Sequence, residues 1–308
     1  MPAAEAGPGA VTFLVVAYHR PDVLAELLEG FSSTEDPIVT VVVNVEADPA
    51  VDEIGRRYGA TVCQMEGNPG YGAAINAGMQ AVRTDVVVFS NDDVHCLPQT
   101  VIGLADVVST GTADVAAPRV LDDSGQVVRT IQAVPGFMTF ITEWVLLPDQ
   151  PVSGLGSYLN VQKWRLPEER QPVGAASAIM LATRAELLRA TPLPETYFMY
   201  FEESEWFLHL GRQGQRVLYC PDLEITHLGG RDVINEFKSS MQARNAALFM
   251  KRRYGPAALA AYPLLVVWQA RLLAAALVRW STGRGPSSAV KARVTGLKTA
   301  LASVRQLP

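Results

Sequence analysis

Cysteine is scarce in this chain: three residues in 308, Cys63, Cys96 and Cys220. They are widely spaced, odd in number and form no CxxC pair. That argues against a disulfide framework and a thiolate zinc site, and it suits a reducing, cytoplasmic setting. Charge is also sparse, at 19% against 49% apolar residues, which is on the apolar side for a soluble protein. The first ten residues lack a basic run and a leading apolar stretch, so no signal peptide is expected. No internal repeat or low-complexity segment is present. Acid is absent from one whole end: no Asp or Glu follows Glu236. Residues 237–308 hold twelve Lys plus Arg, whereas residues 1–236 hold 14 basic and 31 acidic side chains. An acidic body with a basic tail points to different partners at the two ends. The tail has no RNA-binding aromatic motif or zinc pattern and its centre is apolar, which speaks against nucleic acid and for anionic lipid.

Along the body, short β-branched runs alternate with helical spacing. Strands are expected at Val11–Ala17, Ile38–Val45, Thr61–Met65, Asp85–Val94, Val115–Pro118, Val173–Leu181 and Val217–Cys220, the last closed by Pro221. Helices are expected at Val23–Phe31 (N-capped by Asp22), Asp52–Tyr58, Ala73–Ala81, Pro98–Ser109, Arg184–Arg189, Glu202–Gln213 and Phe237–Tyr254. This alternation predicts a parallel α/β sheet. Gln126–Leu166 reads as a long irregular region suited to acceptor specificity. Ala257–Trp280 approaches the length and apolarity of a membrane span. Pro263, Gln269 and Arg271 interrupt it, while Trp268, Trp280 and the basic residues around its end suit an interfacial helix. Packing on the body or on a second subunit is the other reading.

Four stretches carry chemistry. Asp92 and Asp93 end the strand DVVVFSNDDV, where parallel sheets bind ligands. Adjacent acids there repel unless a cation lies between them, and hard oxygen ligands suit Mg²⁺ or Mn²⁺ with a diphosphate. A turn acid pair capping the next helix is the plainer reading. GNPGYGAAINAG (Gly67–Gly78) has GxG at Gly70 and Gly72, but Ile75 stands at the third glycine position, which weakens a dinucleotide fingerprint. Its small residues let a helix N-terminus approach a phosphate, with Asn68 and Asn76 adding amides. YFMYFEESEW (Tyr197–Trp206) delivers Glu202, Glu203 and Glu205 into a first helical turn. Acids favour that end through the helix dipole alone, yet one of them beside aromatics would have a raised pKa and act as a general base. His227, in THLGG, has the most site-like context of the four histidines.

In their order these motifs resemble family 2 glycosyltransferases of the GT-A fold, most closely the bacterial rhamnosyltransferase branch, from about Val11 to Tyr254. VTFLVVAYHRPDVL resembles the opening strand and nucleotide loop, and NPGYGAAINAG the NxGxxxAxNxG segment. Asn91-Asp92-Asp93 resembles the DxD-type motif, and PVGAASAIMLATR the acceptor-side strand. YFMYFEESEWFLHLGRQG resembles FMYxEDxDLxxRxxxxG, ITHLGG the late histidine strand, and RNAALFMKRRYG a segment common in that branch. There are two departures. Val43-Asn44-Val45-Glu46-Ala47-Asp48 replaces Asp-Asn-x-Ser-x-Asp, with Glu46 a substitute for the base-reading acid, and Glu203 stands where the family has a catalytic Asp.

The resemblance implies a GT-A, nucleotide-diphospho-sugar transferase α/β fold with a mostly parallel central sheet and a C-terminal helical extension. It implies a catalytic domain over 1–236, with a nucleotide-binding half at about 11–97 and an acceptor half at about 98–236, and an extension over 237–308. It implies inverting transfer from a dTDP- or UDP-linked sugar to a glycan or polyprenyl-linked acceptor, with L-rhamnose from dTDP-rhamnose as the best match. UDP-hexose, UDP-galactofuranose or a non-catalytic subunit are the alternatives. Glu203 would be the base. Ala17, Tyr18, Arg20, Asn44, Glu46, Asn68, Gly72, Asn76 and Asp92 would meet the donor. Asp93 and His227 would bind the divalent metal, Mg²⁺ or Mn²⁺. Glu202, Ser177 and Trp206 would lie on the acceptor side. The expected place is the inner face of the cell membrane, peripherally bound, with a homodimer as another use of the tail.

Overall fold

The computed structural model describes residues 10–31, 38–133, 136, 166–231 and 234–305. Its strands are β1 (Val11–Ala17), β2 (Ile38–Asn44), β3 (Thr61–Gln64), β4 (Val86–Asn91), β5 (Val94–His95), β6 (Val115–Leu121), β7 (Val127–Val128), β8 (Ile131–Gln132), β9 (Gln171–Val173), β10 (Ala175–Ala176), β11 (Met180–Arg184) and β12 (Val217–His227). Its α-helices are α1 (Pro21–Glu29), α2 (Pro49–Arg57), α3 (Tyr71–Gly78), α4 (Pro98–Ser109), α5 (Ala185–Ala190), α6 (Glu202–Arg212), α7 (Glu236–Tyr254), α8 (Ala258–Ser281) and α9 (Ser287–Arg305).

The main sheet runs β3-β2-β1-β4-β11-β6-β12-β5. β1 to β4 are parallel, β11 is antiparallel to both β4 and β6, and β12 returns parallel to β6. Every residue of β1 is buried, because helices cover both faces of a parallel sheet. The strand period of two then splits the apolar residues into two layers. Leu14, Val16, Val43 and Phe89 pack with Ile75 and Trp206 on one face, and Phe13, Val15, Val42 and Val88 pack with Leu104 on the other. Chain order reverses between β1 and β4, so their C-terminal ends form the crevice where such sheets take ligands.

Several expected elements differ, among them the strand Asp85–Val94, which breaks at Asp92 and Asp93 into β4, paired with β1 and β11, and β5, paired with β12. α1 starts at Pro21 and its N-cap, Arg20, makes no side-chain cap; the fixed φ of Pro21 begins the helix one residue before the expected Asp22 cap could. The expected strand 173–181 is three pieces, β9, β10 and β11, which pair with β12, β8 and β4 in turn. Pro221 does not close β12. It sits where the pairing with β6 shifts register between Cys220 and Glu224, a bulge that tolerates a missing N–H. Most of Gln126–Leu166 lies outside the described residues.

The C-terminal helices join the body through a third apolar cluster, in which Tyr197, Phe201 and Leu208 meet Phe249, Tyr262 and Leu265. α8 buries one side, including Trp268 and Gln269, so Trp268 is a packing residue and not an interfacial anchor. Its other side leaves Leu259, Pro263, Val267, Ala270, Ala274 and Val278 exposed, a stripe at helical spacing. Residues 236–281 are long and apolar enough to cross a membrane by length and composition.

Candidate active site

Backbone geometry builds the donor side. β1 ends at the buried Ala17, and the loop after it crosses the end of β4. There the Tyr18 amide donates to Asp92 Oδ2 at 3.2 Å. Arg20 Nη2 reaches Asp92 Oδ1 at 2.8 Å and Asp93 Oδ2 at 2.9 Å. β12 pairs antiparallel with β5, setting His227 opposite Val94. His227 Nε2 thereby stands 3.2 Å from Asp93 Oδ1, and the Leu228 amide donates to the Asp93 carbonyl at 2.9 Å. A Cβ on Gly229 would come within 2.3 Å of Asp93 Oδ2, so the turn after His227 can close on the acid only with glycine there.

Both acids are buried, with 4% and 7% exposure for Asp92 and Asp93. Burial works against an ionised Asp93, but His227 and Arg20 outweigh it and hold the carboxyl down to about 2. At Asp92 burial prevails over Arg20, and the pKa is raised. Asp93 Oδ1 is buried, with His227 Nε2 its polar neighbour at 3.2 Å. Among the described residues no three His, Cys, Asp or Glu side chains gather closely enough to hold an ion unaided. Asp93 and His227 therefore fit a divalent cation shared with oxygens from a diphosphate, not one caged by protein alone.

The second-strand loop is tied to the first. His19 places Nε2 2.7 Å from Glu46 Oε2 and Nδ1 2.9 Å from Asp48 Oδ2. Those bonds, to Asp48 first and Glu46 second, raise the imidazole pKa. His19, Glu46 and Ala47 all have left-handed backbones. The Asn44 side chain is consumed by this turn, donating to the Asp48 carbonyl and accepting from the Asp48 amide. Asn68 Oδ1 accepts from the Gly70 amide. Tyr18, Asn68 and Tyr71 line a pocket of about 140 Å³ with Val16, Val45 and Phe198, an apolar slot that suits a planar ring.

Gly72 and Asn76 face elsewhere. A Cβ on Gly72 would press on the Pro194 carbonyl at 3.0 Å. Asn76 clamps the same loop, donating to the Leu193 carbonyl and accepting from the Leu193 amide. Both hold α3 against the segment before α6, and neither points at the strand-end acids. Trp206, expected on the acceptor side, is a core residue: fully buried, with Nε1 donating to the Thr191 carbonyl at 2.7 Å. The Ser177 amide donates to the Thr130 carbonyl at 2.8 Å.

The turn that leads into α6 is strained. Tyr200 and Phe201 both have positive φ, 67° and 78°, which costs an ordinary side chain on the order of 1–3 kcal/mol each. Immediately after them α6 begins with Glu202. Two contacts hold the turn. Asn245 of α7 donates Nδ2 to the Met199 carbonyl at 2.7 Å. On the other side the Tyr71 amide donates to the Phe198 carbonyl at 3.2 Å, and a Cβ on Gly70 would come within 2.3 Å of that oxygen. Glu205 is fixed by a two-pronged bond from Arg252 and by the Tyr197 hydroxyl. Its pKa is lowered because these partners outweigh burial.

Glu202 and Glu203 receive no such partners. Glu202 is buried and Glu203 partly exposed, and each has a buried Oε2 without a hydrogen bond. Burial raises both pKa values; the neighbouring Glu203 charge adds to Glu202, while backbone amides at the helix start moderate Glu203. The Tyr71 hydroxyl donates to the Ala178 carbonyl at 2.8 Å. Burial, then the charges of Glu202, Asp93, Glu203 and Asp92, push this phenol well above its usual range. No role was legible in the sequence for Tyr71, Gly229, Asn245 and Arg252. The last two lie in RNAALFMKRRYG, which was recognisable as a segment but carried no chemical role.

A curled sheet with acids at the β4 end, and a helical C-terminal unit, define a GT-A glycosyltransferase fold. Solved structures agree. A mannosyltransferase from Pyrobaculum calidifontis, in complex with GDP-Man and Mn²⁺, matches with a TM-score of 0.56 at 14% identity, covering 96% of this chain and 87% of that one. GalNAc-T7, with UDP, GalNAc and Mn²⁺, matches with a TM-score of 0.52 at 13% identity, covering 71% of this chain and 43% of that one. In sequence, residues 12–149 match the family model described as glycosyl transferase family 2. That segment is similar to family 2 glycosyltransferases, and the solved structures show the GT-A fold. An N-acetylglucosaminyl-diphospho-decaprenol L-rhamnosyltransferase of Mycobacterium tuberculosis is 26% identical over 230 residues, 70% of this chain and 74% of that protein.

Proposed function

We propose that this chain moves L-rhamnose from dTDP-rhamnose to a lipid-linked or polysaccharide acceptor in a single inverting displacement. The observation that carries the reading is two unlike acid pairs: Asp92 and Asp93 at the strand end, bound by Arg20 at 2.8 and 2.9 Å, and Glu202 and Glu203 at the start of α6, each with an oxygen left without a hydrogen bond. One pair suits a diphosphate, and the other suits a proton. Glu203 is the base: partly exposed, with a raised pKa, it meets an acceptor hydroxyl and takes its proton. The acceptor oxygen attacks the anomeric carbon, the bond to the diphosphate oxygen breaks, and its electron pair leaves with the nucleoside diphosphate. Glu202 is the more buried of the two, and burial followed by the Glu203 charge raises its pKa. Asp93 and His227 would hold Mg²⁺ or Mn²⁺, which when bound neutralises charge on the leaving diphosphate. Tyr18 and the apolar slot behind it receive the base, with Arg20 beside the phosphates.

Rhamnose and the lipid-linked acceptor draw support from the activity of the mycobacterial relative, an N-acetylglucosaminyl-diphospho-decaprenol L-rhamnosyltransferase. The exposed apolar stripe of α8, followed by Arg279, Arg284, Lys291 and Arg293, supports peripheral docking on an anionic inner membrane face. The deciding experiment is thermal stabilisation by dTDP, UDP and GDP, each with Mn²⁺ and with EDTA. A ligand at about a hundred times its Kd adds roughly 3 kcal/mol of apparent stability. Mn²⁺-dependent preference for dTDP is the expected result, followed by transfer assays and NMR of the product anomer. Preference for UDP moves the reading to a UDP-hexose or UDP-galactofuranose donor, and no response to any nucleotide leaves a non-catalytic subunit.

A further inference from the structure

We propose that a second, cationic cavity binds a phosphate-bearing ligand, separate from the strand-end acids. The cavity, about 310 Å³, opens between α6 and the end of α7. His209 and Arg212 line it from α6, and Arg252 and Arg253 from α7. Leu208 and Phe249 give it an apolar wall. Glu205 is the acid in its lining, and Arg252 already neutralises that carboxylate with bonds at 2.7 and 2.9 Å. Among the described residues no carboxylate pairs with Arg212 or Arg253. Arg253 lies over the Tyr254 ring, 5.3 Å from its centroid, and its Nη1 is buried without a hydrogen bond. Two guanidinium groups without a carboxylate partner thus line one open cavity.

The chemistry selects a phosphate. Guanidinium forks bind planar or tetrahedral oxyanions in pairs of parallel bonds. A phosphate group offers more acceptor oxygens and more charge than a carboxylate, so it can satisfy two forks together. The apolar wall adds room for a hydrocarbon next to that anion. α8, with its exposed apolar stripe, starts five residues after Arg253. A free phosphate or diphosphate and the headgroup phosphate of an anionic lipid share this recognition chemistry. The inference does not depend on the sugar-transfer reading, since none of these residues touches the acid pairs of the donor site.

The test uses the full chain without added divalent cation. Inorganic pyrophosphate is titrated calorimetrically, and the protein is sedimented with phosphatidylcholine vesicles with and without phosphatidylglycerol. Three proteins are compared: wild type, Arg212→Ala/Arg253→Ala and Asp93→Asn. The expected result is binding of pyrophosphate, of phosphatidylglycerol vesicles, or of both, by wild type and Asp93→Asn alike. The double variant should bind the same probe about tenfold more weakly. Loss confined to vesicles assigns the phosphate to lipid, and loss confined to pyrophosphate assigns it to a soluble ligand; either supports the site. Equal binding by wild type and double variant overturns it. So does binding lost in Asp93→Asn but kept in the double variant, or no binding of either probe to wild type. Thermal melting checks that the double variant folds; if it does not, Arg212→Gln, an exposed single change, is read by the same criteria.

Discussion

Two pairs of adjacent acids stand at this site, and the fold treats them oppositely. Asp92 and Asp93 are buried but surrounded by partners: the Tyr18 amide, Arg20 and His227. Glu202 and Glu203 are also sequestered, yet each keeps an oxygen with no hydrogen bond. The same local pattern thus yields an acid held down to about 2 in Asp93 and a raised pKa in both glutamates. Desolvation raises a carboxyl pKa and a nearby cation lowers it. What separates Asp93 from the glutamates is the supply of cationic partners, not burial; at Asp92 burial prevails even over Arg20. Asp93, kept ionised, can share a cation with a diphosphate, whereas a glutamate with a raised pKa is a stronger base than an ordinary carboxylate.

Four experiments press on that contrast. The largest effect is expected for Glu203→Gln, which should lower transfer by about 10²–10⁴-fold, the usual contribution of a general base. Nucleotide affinity should be unchanged, and near-wild-type turnover would remove Glu203 from the mechanism. Asp93→Asn should weaken Mn²⁺-dependent nucleotide binding by about 10–100-fold, as measured by titration calorimetry. Binding that keeps its metal dependence would show that Asp93 is not a ligand. Asn245→Ala should lower kcat about tenfold through a misplaced turn, with little change in donor KM. Its Tm should also fall, since the loss of a buried bond costs about 1–3 kcal/mol; a lower Tm with unchanged kcat would make Asn245 a stability residue only.

Glu202→Gln gives the smallest effect, and its sign is the informative part. A folded-state carboxyl with a raised pKa binds more protons than the unfolded chain, so it weakens the fold as pH rises from the ordinary glutamate range through the folded value. The variant should therefore melt about 2 °C or more above wild type at neutral pH, and the gap should close below about pH 4. Asp93 runs the other way: its lowered pKa contributes stability that is full above the ordinary aspartate range and fades as pH falls toward 2. Opposite pH slopes in Glu202→Gln and Asp93→Asn would confirm that the pairs differ electrostatically, and parallel slopes would break the comparison.

Much of the fold was legible in the chain because its signals are local. VTFLVVA and DVVVFSN read as strands from β-branched runs, and Pro98–Ser109 matched its expected limits. The β12 path through Pro221 was not legible, because a bulge depends on the partner strand. The helix α9 was likewise visible only as a basic tail. For the site, residue type pointed to Asp93, His227 and Glu203, and the tertiary structure set Asp93 beside His227. Residue type misled at Trp206, where an aromatic next to acids proved to be core.

By itself the sequence determined the sheet-forming runs, the two acid pairs, and the removal of all acid after Glu236. Each of these is a property of neighbours along the chain. Only the tertiary structure decided which acids are paired, because Arg20 lies 72 residues from Asp92 and His227 reaches Asp93 through the pairing of β12 with β5. The strained turn at Tyr200–Phe201 likewise rests on Asn245, from a helix that the sequence marked as a basic tail. A pKa and a strained backbone are set by what stands within a few ångströms, and that distance is fixed by folding, not by chain order.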